Sequence, residues 1–328
     1  MEATSSADTP TPRPRSVGRT IDAFAVAVLA ATVAGWCGRW HWLLDIASHF
    51  RWYWLLAAVA GLAVSIRRPR PAAIACLAAA AVGNARELLP AWLPPPAAAA
   101  SAGPAAQGIL VVSVNVHRVN DDPTATRAYL RDRRPDAVAV LEVDDTWAAS
   151  LDGLADDFPH RIIHPRADNF GIAMLSRWPL TDAEVVHLGG TPHPSILATL
   201  SHPSGRLRLV ATHPMPPWNG HYAALMRDQF DAVAAAVVAS DVPCIVMGDL
   251  NATPWSHAFR RLTARSGLRD SSLGRGIQPT WNVRLWAPRI PIDHVLVPDE
   301  VTVLRRAVGP DVGSDHLPVE AELALPRR

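Results

Sequence analysis

Val246-Met247-Gly248-Asp249-Leu250-Asn251-Ala252-Thr253-Pro254 is the stretch on which the reading of this chain turns. A short apolar run, Ile245–Met247, ends in a glycine, and a carboxylate and a carboxamide follow two residues apart. On an extended strand residues i and i+2 share a face, so Asp249 and Asn251 can reach one ligand together. Asp249 brings charge and accepts hydrogen bonds, while Asn251 also donates. Polar groups at the carboxyl end of a buried strand mark the edge where open α/β sheets place their sites. Gly, Asp and Asn are equally the residues of a plain turn, so the segment alone leaves both readings open.

The same pattern recurs outward from it. Ile109–Val116 begins as a continuous apolar run and then alternates, with Val112, Val114 and Val116 against Ser113, Asn115 and His117. Ala137–Val143 reads as a buried strand carrying Glu142 at its end, and Leu207–Thr212 runs into His213. Ile292–Val297 opens with Asp293 and His294. Ser314-Asp315-His316 precedes a cleanly alternating last strand, Leu317–Leu325. Further strands are expected at Phe170–Ser176, Glu184–Leu188, Ser195–Leu200 and Val301–Val308, and helices at Thr124–Arg134, Trp147–Leu154, Tyr222–Ala239 and Pro254–Arg265. Mixed strands and helices with hairpin-like pairs predict two packed sheets with helices outside.

Strand ends gathered at one rim would bring Asn115, Glu142, His213, Asp249, Asn251, Asp293, Asp315 and His316 together. Hard oxygen ligands such as Glu142, Asp315 and Asn115 suit Mg²⁺ or Mn²⁺ rather than Zn²⁺. A histidine backed by a carboxylate takes a proton from water. A second imidazole and carboxamides stabilise charge on phosphoryl oxygens. These are the parts for metal-assisted hydrolysis of a phosphate ester.

Gly248-Asp249-Leu250-Asn251, then Ile292-Asp293-His294-Val295, then Ser314-Asp315-His316-Leu317-Pro318 resemble, as an ordered set, the endonuclease/exonuclease/phosphatase (DNase I-like) superfamily. The resemblance runs from about Ile109 to Leu325. It implies a four-layer α/β/β/α sandwich of two mixed sheets. It also implies roles: Glu142 as the metal carboxylate with Asn115 beside it, and Asp315 as a second acid near the metal. Asp249 would orient the attacking water, and Asn251 would contact phosphate or metal. His316 would be the general base and Asp293 the carboxylate that holds its imidazole, with His213 on a phosphoryl oxygen or the leaving group. Two departures stand out. His117 occupies a position where some members carry an aspartate, and the glutamate that supports the second histidine in DNase-like members has no evident equivalent. His294 points away from Asp293 on a strand and reads as structural, and His117 and His193 read as ordinary histidines. Arg177 is a candidate phosphate contact, with a strand-end surface position as the other reading. Trp218 and Trp281 are candidates for the substrate mouth, with core packing as the other reading.

Before residue 109 the texture is different. Ile21–Gly38, Trp52–Ile66 and Ala72–Gly83 are apolar, the last able to extend to Trp92, against the roughly 20 predominantly apolar residues that a span needs. No small-x-small cleavage site follows the first, so it reads as a retained span. This gives a tail over 1–20, an all-α transmembrane region over 21–93 with about three helices, a Pro/Ala-rich linker over 94–108 and a catalytic domain over 109–328. Arg13, Arg15 and Arg19 precede the first span, and Arg67, Arg68 and Arg70 follow the second; only Arg39 and Arg51 lie between. Positive-inside counting then places the catalytic domain outside the cell membrane, provided the third and weakest segment spans.

All 31 basic residues are arginine, and the net charge of +1 provides no basic field of the kind nucleic-acid binding favours. Cys37, Cys76 and Cys244 fit no metal motif. The spans, the linker and the loop His213-Pro214-Met215-Pro216-Pro217 followed by Arg227-Asp228-Gln229 resemble a narrower, membrane-anchored bacterial branch, with VanJ-type teicoplanin-resistance and YafD-like proteins. That resemblance implies a phosphatase on a lipid-linked phosphate such as undecaprenyl pyrophosphate, with the bilayer as a partner and a link to glycopeptide resistance. The alternatives are an extracytoplasmic nuclease or phospholipase C-like phosphodiesterase, and a non-catalytic binding protein of the same fold.

Overall fold

The computed structural model describes residues 15–67, 69–93 and 108–326. Most of the tail, Arg68 and the linker up to Gln107 lie outside the described residues. The amino-terminal region is helical: α1 (Arg15–Trp36), α2 (Trp42–His49), α3 (Arg51–Arg67) and α4 (Pro71–Leu88), the last prolonged by a 3₁₀ turn to Ala91. Gly18–Trp36 and Pro71–Ala91 are each long and apolar enough to cross a membrane. The second expected segment lies in α3, which has 17 residues and reaches that length only together with α2, across a 65° bend. The segment expected to be weakest is therefore one of the two strongest. Its helix runs on through Arg86 and Glu87, and Glu87 is satisfied at the end by Trp36 Nε1 and Arg260.

From Ile109 the chain builds two six-stranded sheets. The first holds β1 (Ile109–Asn115), β2 (Ala137–Leu141), β3 (His160–His164), β4 (Ile172–Ser176), β11 (Thr302–Val308) and β12 (Val319–Ala324), in the order β11-β12-β1-β2-β4-β3. The second holds β5 (Leu180–Val186), β6 (Ser195–His202), β7 (Gly205–Thr212), β8 (Cys244–Asp249), β9 (Arg269–Asp270) and β10 (Asp293–Val297), in the order β5-β6-β7-β8-β10-β9. Each has one parallel pair at its centre, β1 with β2 and β7 with β8. α5 (Thr124–Arg133) and α6 (Asp145–Asp152) cover the first sheet, and α7 (Gly220–Val238) and α8 (His257–Ser266) the second. The expected four-layer sandwich is what forms.

Alternation decides which side chain enters which layer. Ile109, Val111, Ile245, Met247, Val295, Val319 and Ala321 fill the space between the sheets. Val112, Val114 and Val116 pack outward under Tyr129, Leu130 and Trp147. Val246 and Leu296 pack outward under Phe230 and Phe259. The polar residues that alternate with these outward groups, Asn115, Asp249 and Asp293, prolong the inter-sheet layer to its end. β3 and β9 are not evident in the sequence: β9 is two residues long, and β3 is a half-buried edge strand bounded by His160 and His164.

Candidate active site

Two residues must leave the strand pattern to reach the rim. Leu141 faces the inter-sheet core, so a further extended residue would face outward; Glu142 instead takes φ +64°. Asn251, two residues past the end of β8, takes φ +49°, and His117 takes φ +56°. Left-handed backbone costs a non-glycine residue about 1 kcal/mol or more, and such outliers gather at functional sites. Gly248 is required for a different reason. Its φ is +155°, and a Cβ there would sit 1.9 Å from the Thr212 carbonyl oxygen.

The side chains so placed form one connected cluster. His316 Nδ1 and Asp293 Oδ2 are 2.9 Å apart, both buried. The other imidazole nitrogen lies 3.6 Å from Asp249 Oδ2 and 3.9 Å from Asp315 Oδ1. Asn115 Nδ2 donates to Glu142 Oε1 at 3.0 Å and to Asp249 Oδ2 at 3.2 Å. Its Oδ1 accepts from His117 N, and Glu142 Oε2 accepts from Arg118 N. His213 Nε2 stands 3.4 Å from Asp249 Oδ2. Asn251 donates from its side chain to Pro214 O and from its backbone to Asp249 Oδ1, which ties the His213 loop to β8. Glu142, His213, Asp249, Asn251, Asp315 and His316 line a cavity of about 750 Å³.

Charge at the site is unevenly matched. Burial disfavours charge on His316, but Asp293 and Asp249 outweigh it and hold the imidazole up at about 10. Burial would likewise keep Asp249 neutral, yet His316 and His213 hold its carboxyl down at about 2. His213 is raised in the same way against its burial, by Asp249 and then Glu142. Its Nδ1 is buried with no partner among the described residues, so no glutamate supports it. The ring packs instead beside Phe170, which also stacks on His193. Burial, then the neighbouring His213, pulls His193 down to about 4, so that ring is neutral at pH 7.

Of the two proposed substrate contacts, Trp218 stands at the cavity rim, 68 % exposed. Arg177 does not join the site. It follows β4, which runs antiparallel to β2, so it lies at the opposite edge, bonded to Arg134 O and paired with Asp136. Strand direction is what its sequence context could not show. Trp281 does line the cavity, and its Nε1 donates to Asp315 Oδ2. His294 is structural as expected, its two nitrogens meeting Asp270 Oδ2 and Ala252 O. His117, read as ordinary, lines the cavity with Nδ1 3.7 Å from Asp315 Oδ1. Other contributors missed include Phe170 and, from the helical region, Ile46, His49 and Phe50.

The donor set fits a divalent cation. Asp249, Asp293 and His316 offer ligand atoms within 4.8 Å of one another. Asp293 Oδ1 is buried with no partner among the described residues. Glu142 and Asp315 add two carboxylates to the same cavity. The set expected from the resemblance, Glu142, Asn115 and Asp315, adjoins these groups. Asn115 spends its amide on two carboxylates and its carbonyl on His117 N, which makes it a bridge between them.

Carboxylates suited to a hard cation, a carboxylate-backed histidine and a second imidazole define a metal-dependent phosphoesterase. A model of the endonuclease/exonuclease/phosphatase family matches residues 112–316, and the chain belongs to that family. Solved structures agree in fold. An endonuclease/exonuclease/phosphatase from Beutenbergia cavernae is 23 % identical, with 67 % of this chain and 72 % of that one covered at a TM-score of 0.56. A 3′ phosphatase from Neisseria, bound to a product DNA hairpin, is 20 % identical over 65 % of this chain and 98 % of its own, at 0.54. Sphingomyelinase C from Streptomyces griseocarneus is 18 % identical over 66 % and 99 %, at 0.50. None of the curated proteins matches the chain in a sequence comparison.

Proposed function

We propose that the protein is a membrane-anchored phosphohydrolase acting on a lipid-linked phosphate, with undecaprenyl pyrophosphate at the outer membrane face as the leading substrate. One observation carries the reading. Ile46, His49 and Phe50, which belong to the helical region, line the same cavity as Asp249 and His316. A substrate in that cavity meets the membrane region and the reacting groups together. The near-neutral charge speaks against a nuclease. The narrower resemblance to teicoplanin-resistance proteins brings a role in glycopeptide resistance into the proposal.

The reaction assigned is attack of water on phosphorus, in which a P–O bond forms to the water oxygen and the P–O bond to the leaving lipid phosphate breaks. Asp249 orients the water, His316 takes its proton, and Asp293 holds the imidazole and stabilises its charged form. His213 and Asn251 face the phosphoryl oxygens. A Mg²⁺ or Mn²⁺ ion held by Glu142 and the neighbouring carboxylates would neutralise charge on the phosphoryl group.

The full chain in lipid nanodiscs, given undecaprenyl pyrophosphate and Mg²⁺ or Mn²⁺, is expected to release phosphate, with His316→Ala as the blank. Release no greater than the blank, while a control phosphatase works, overturns the reading. Plasmid nicking by the same preparation would favour a nuclease instead.

A further inference from the structure

The sequence Leu43, Ile46, Ala47, Phe50 has the i, i+3, i+4, i+7 spacing of one helical face. In α2 and its C-cap these four residues line an open groove of about 620 Å³. Tyr53 and Trp54, from the first turn of α3, and Ala287 and Pro288 complete its lining. Among the described residues, no charged side chain lines it. The groove does not end on the surface, because Ile46 and Phe50 also line the cavity that holds Asp249 and His316.

The lining segments are fixed to each other. Tyr53 Oη accepts from Arg289 N at 2.5 Å and donates to Arg289 O at 3.1 Å, which pins the Ala287–Pro288 segment to α3. Trp54 Nε1 donates to Ala47 O at 2.8 Å across the α2–α3 bend. Leu43, in the lining, is 57 % exposed, and Trp286, next to Ala287 in the sequence, is 92 % exposed. Such residues face water at a cost unless they meet lipid.

We infer that this groove binds one hydrocarbon chain of an amphiphilic phosphate ester, leading it from the bilayer to the cavity where its phosphate meets the carboxylate and histidine cluster. The inference deepens the proposed function and rests on its assignment of the cavity. A single chain is the occupant argued for because the groove is apolar throughout, begins beside the apolar helices and ends at the polar cluster. Such a groove selects for a chain attached to the phosphate, and a water-soluble ester would leave it unfilled.

The test is binding of n-alkylphosphonates from butyl to decyl to the full chain in nanodiscs with Mg²⁺, by titration calorimetry against empty nanodiscs. Phosphonates are not cleaved, so binding is read whether or not a lipid phosphate is hydrolysed. Affinity is expected to rise by up to about fourfold per added methylene. Ala287→Trp narrows the groove, and Leu43→Asn makes its exposed lining polar with little risk to folding. Each is expected to weaken decylphosphonate at least about tenfold more than butylphosphonate, given the transfer cost of several methylenes. Affinity independent of chain length overturns the inference, as do variants with the wild-type slope, which would mean partition into the bilayer alone. Equal weakening of butyl and decyl compounds by both variants overturns it too. The proposed function fails separately, if phosphorylated lipids go uncleaved while short phosphate esters are hydrolysed.

Discussion

Asp249 Oδ2 lies 3.6 Å from Nε2 of His316, whose Nδ1 is bonded to Asp293. The imidazole is thus held between two buried carboxylates, and they keep it protonated: burial alone would lower it, but Asp293 and Asp249 raise it to about 10. A protonated imidazole cannot accept a proton. A cation among these carboxylates would offset the charge that retains the proton and so return His316 toward the neutral form that general base catalysis needs.

Metal binding is therefore expected to expel a proton. The site holds that proton up to about pH 10, so the cation competes with it throughout the neutral range. Affinity for Mg²⁺ or Mn²⁺ should rise with pH by up to about tenfold per unit between pH 7 and pH 9. Titration calorimetry in buffers of different ionisation enthalpy measures the protons released. Affinity flat with pH and no proton release would contradict the coupling.

Stability of the metal-free protein carries the same signature. His316 has a folded value raised above its unfolded one, so its contribution is fully present below about pH 6.5 and is lost as pH rises through about 10. In chelator, the stability advantage of wild type over His316→Gln is expected to shrink steadily from pH 7 to pH 10. Denaturant melts of both proteins at matched pH give the difference, and an advantage that grows over this range would be the wrong sign.

Much of this site was legible because its residues end apolar strands. Asn115, Asp249 and Asp293 alternate with core residues, and alternation is a local property. Asn251 was found for a reason that does not hold in detail: it reaches the site through a left-handed turn at φ +49° rather than along a pleat. The two readings of Arg177 could not be separated locally, because which edge a strand end reaches depends on its pairing, and β4 pairs antiparallel with β2. The share of α2 in the cavity was invisible for the same physical reason. Asp45 accepts from His257 N at 2.7 Å and Ala258 N at 3.2 Å, capping α8 from more than two hundred positions away. No local pattern encodes such a contact.

Removal of the reacting groups separates catalysis from binding. His316→Ala and Asp249→Ala are expected to lower kcat by about 10²–10⁴, the range of a general acid–base contribution. Asp293→Asn keeps the shape but withdraws the charge behind the imidazole, so kcat should fall by about 10² or more while KM changes little. Steady-state kinetics on one phosphate ester at saturating Mn²⁺ reads all three. A KM effect without loss of kcat in Asp293→Asn would place that carboxylate outside the proton transfer.

Gly248 sets how closely β8 approaches β7. A methyl group there meets the Thr212 carbonyl at 1.9 Å, and backbone rather than a flexible side chain would have to yield. Gly248→Ala is expected to cost about 3 kcal/mol or more and to displace Asp249. Gly190→Ala is the matched control: its φ is also positive, at +67°, but a Cβ there meets nothing within 4 Å. About 1 kcal/mol is expected for it. Comparable losses in the two variants would show that the close approach matters less than the left-handed backbone.

Tyr53 connects the helical region to the reacting histidine. Its hydroxyl bonds both backbone groups of Arg289, and Ile290 pairs with Trp281, which in turn bridges to His316. Tyr53→Phe removes the hydroxyl with the ring retained, at about 1 kcal/mol for each lost hydrogen bond. The expected result is faster amide exchange across 282–290 and a three- to tenfold drop in activity, roughly what 1 kcal/mol of misalignment produces, with global stability lowered by no more than about 2 kcal/mol. Hydrogen exchange and kinetics on the same full-length preparation check it. Unchanged exchange in 282–290 would mean that the helical region and the catalytic rim are joined through Asp45 and α8 instead.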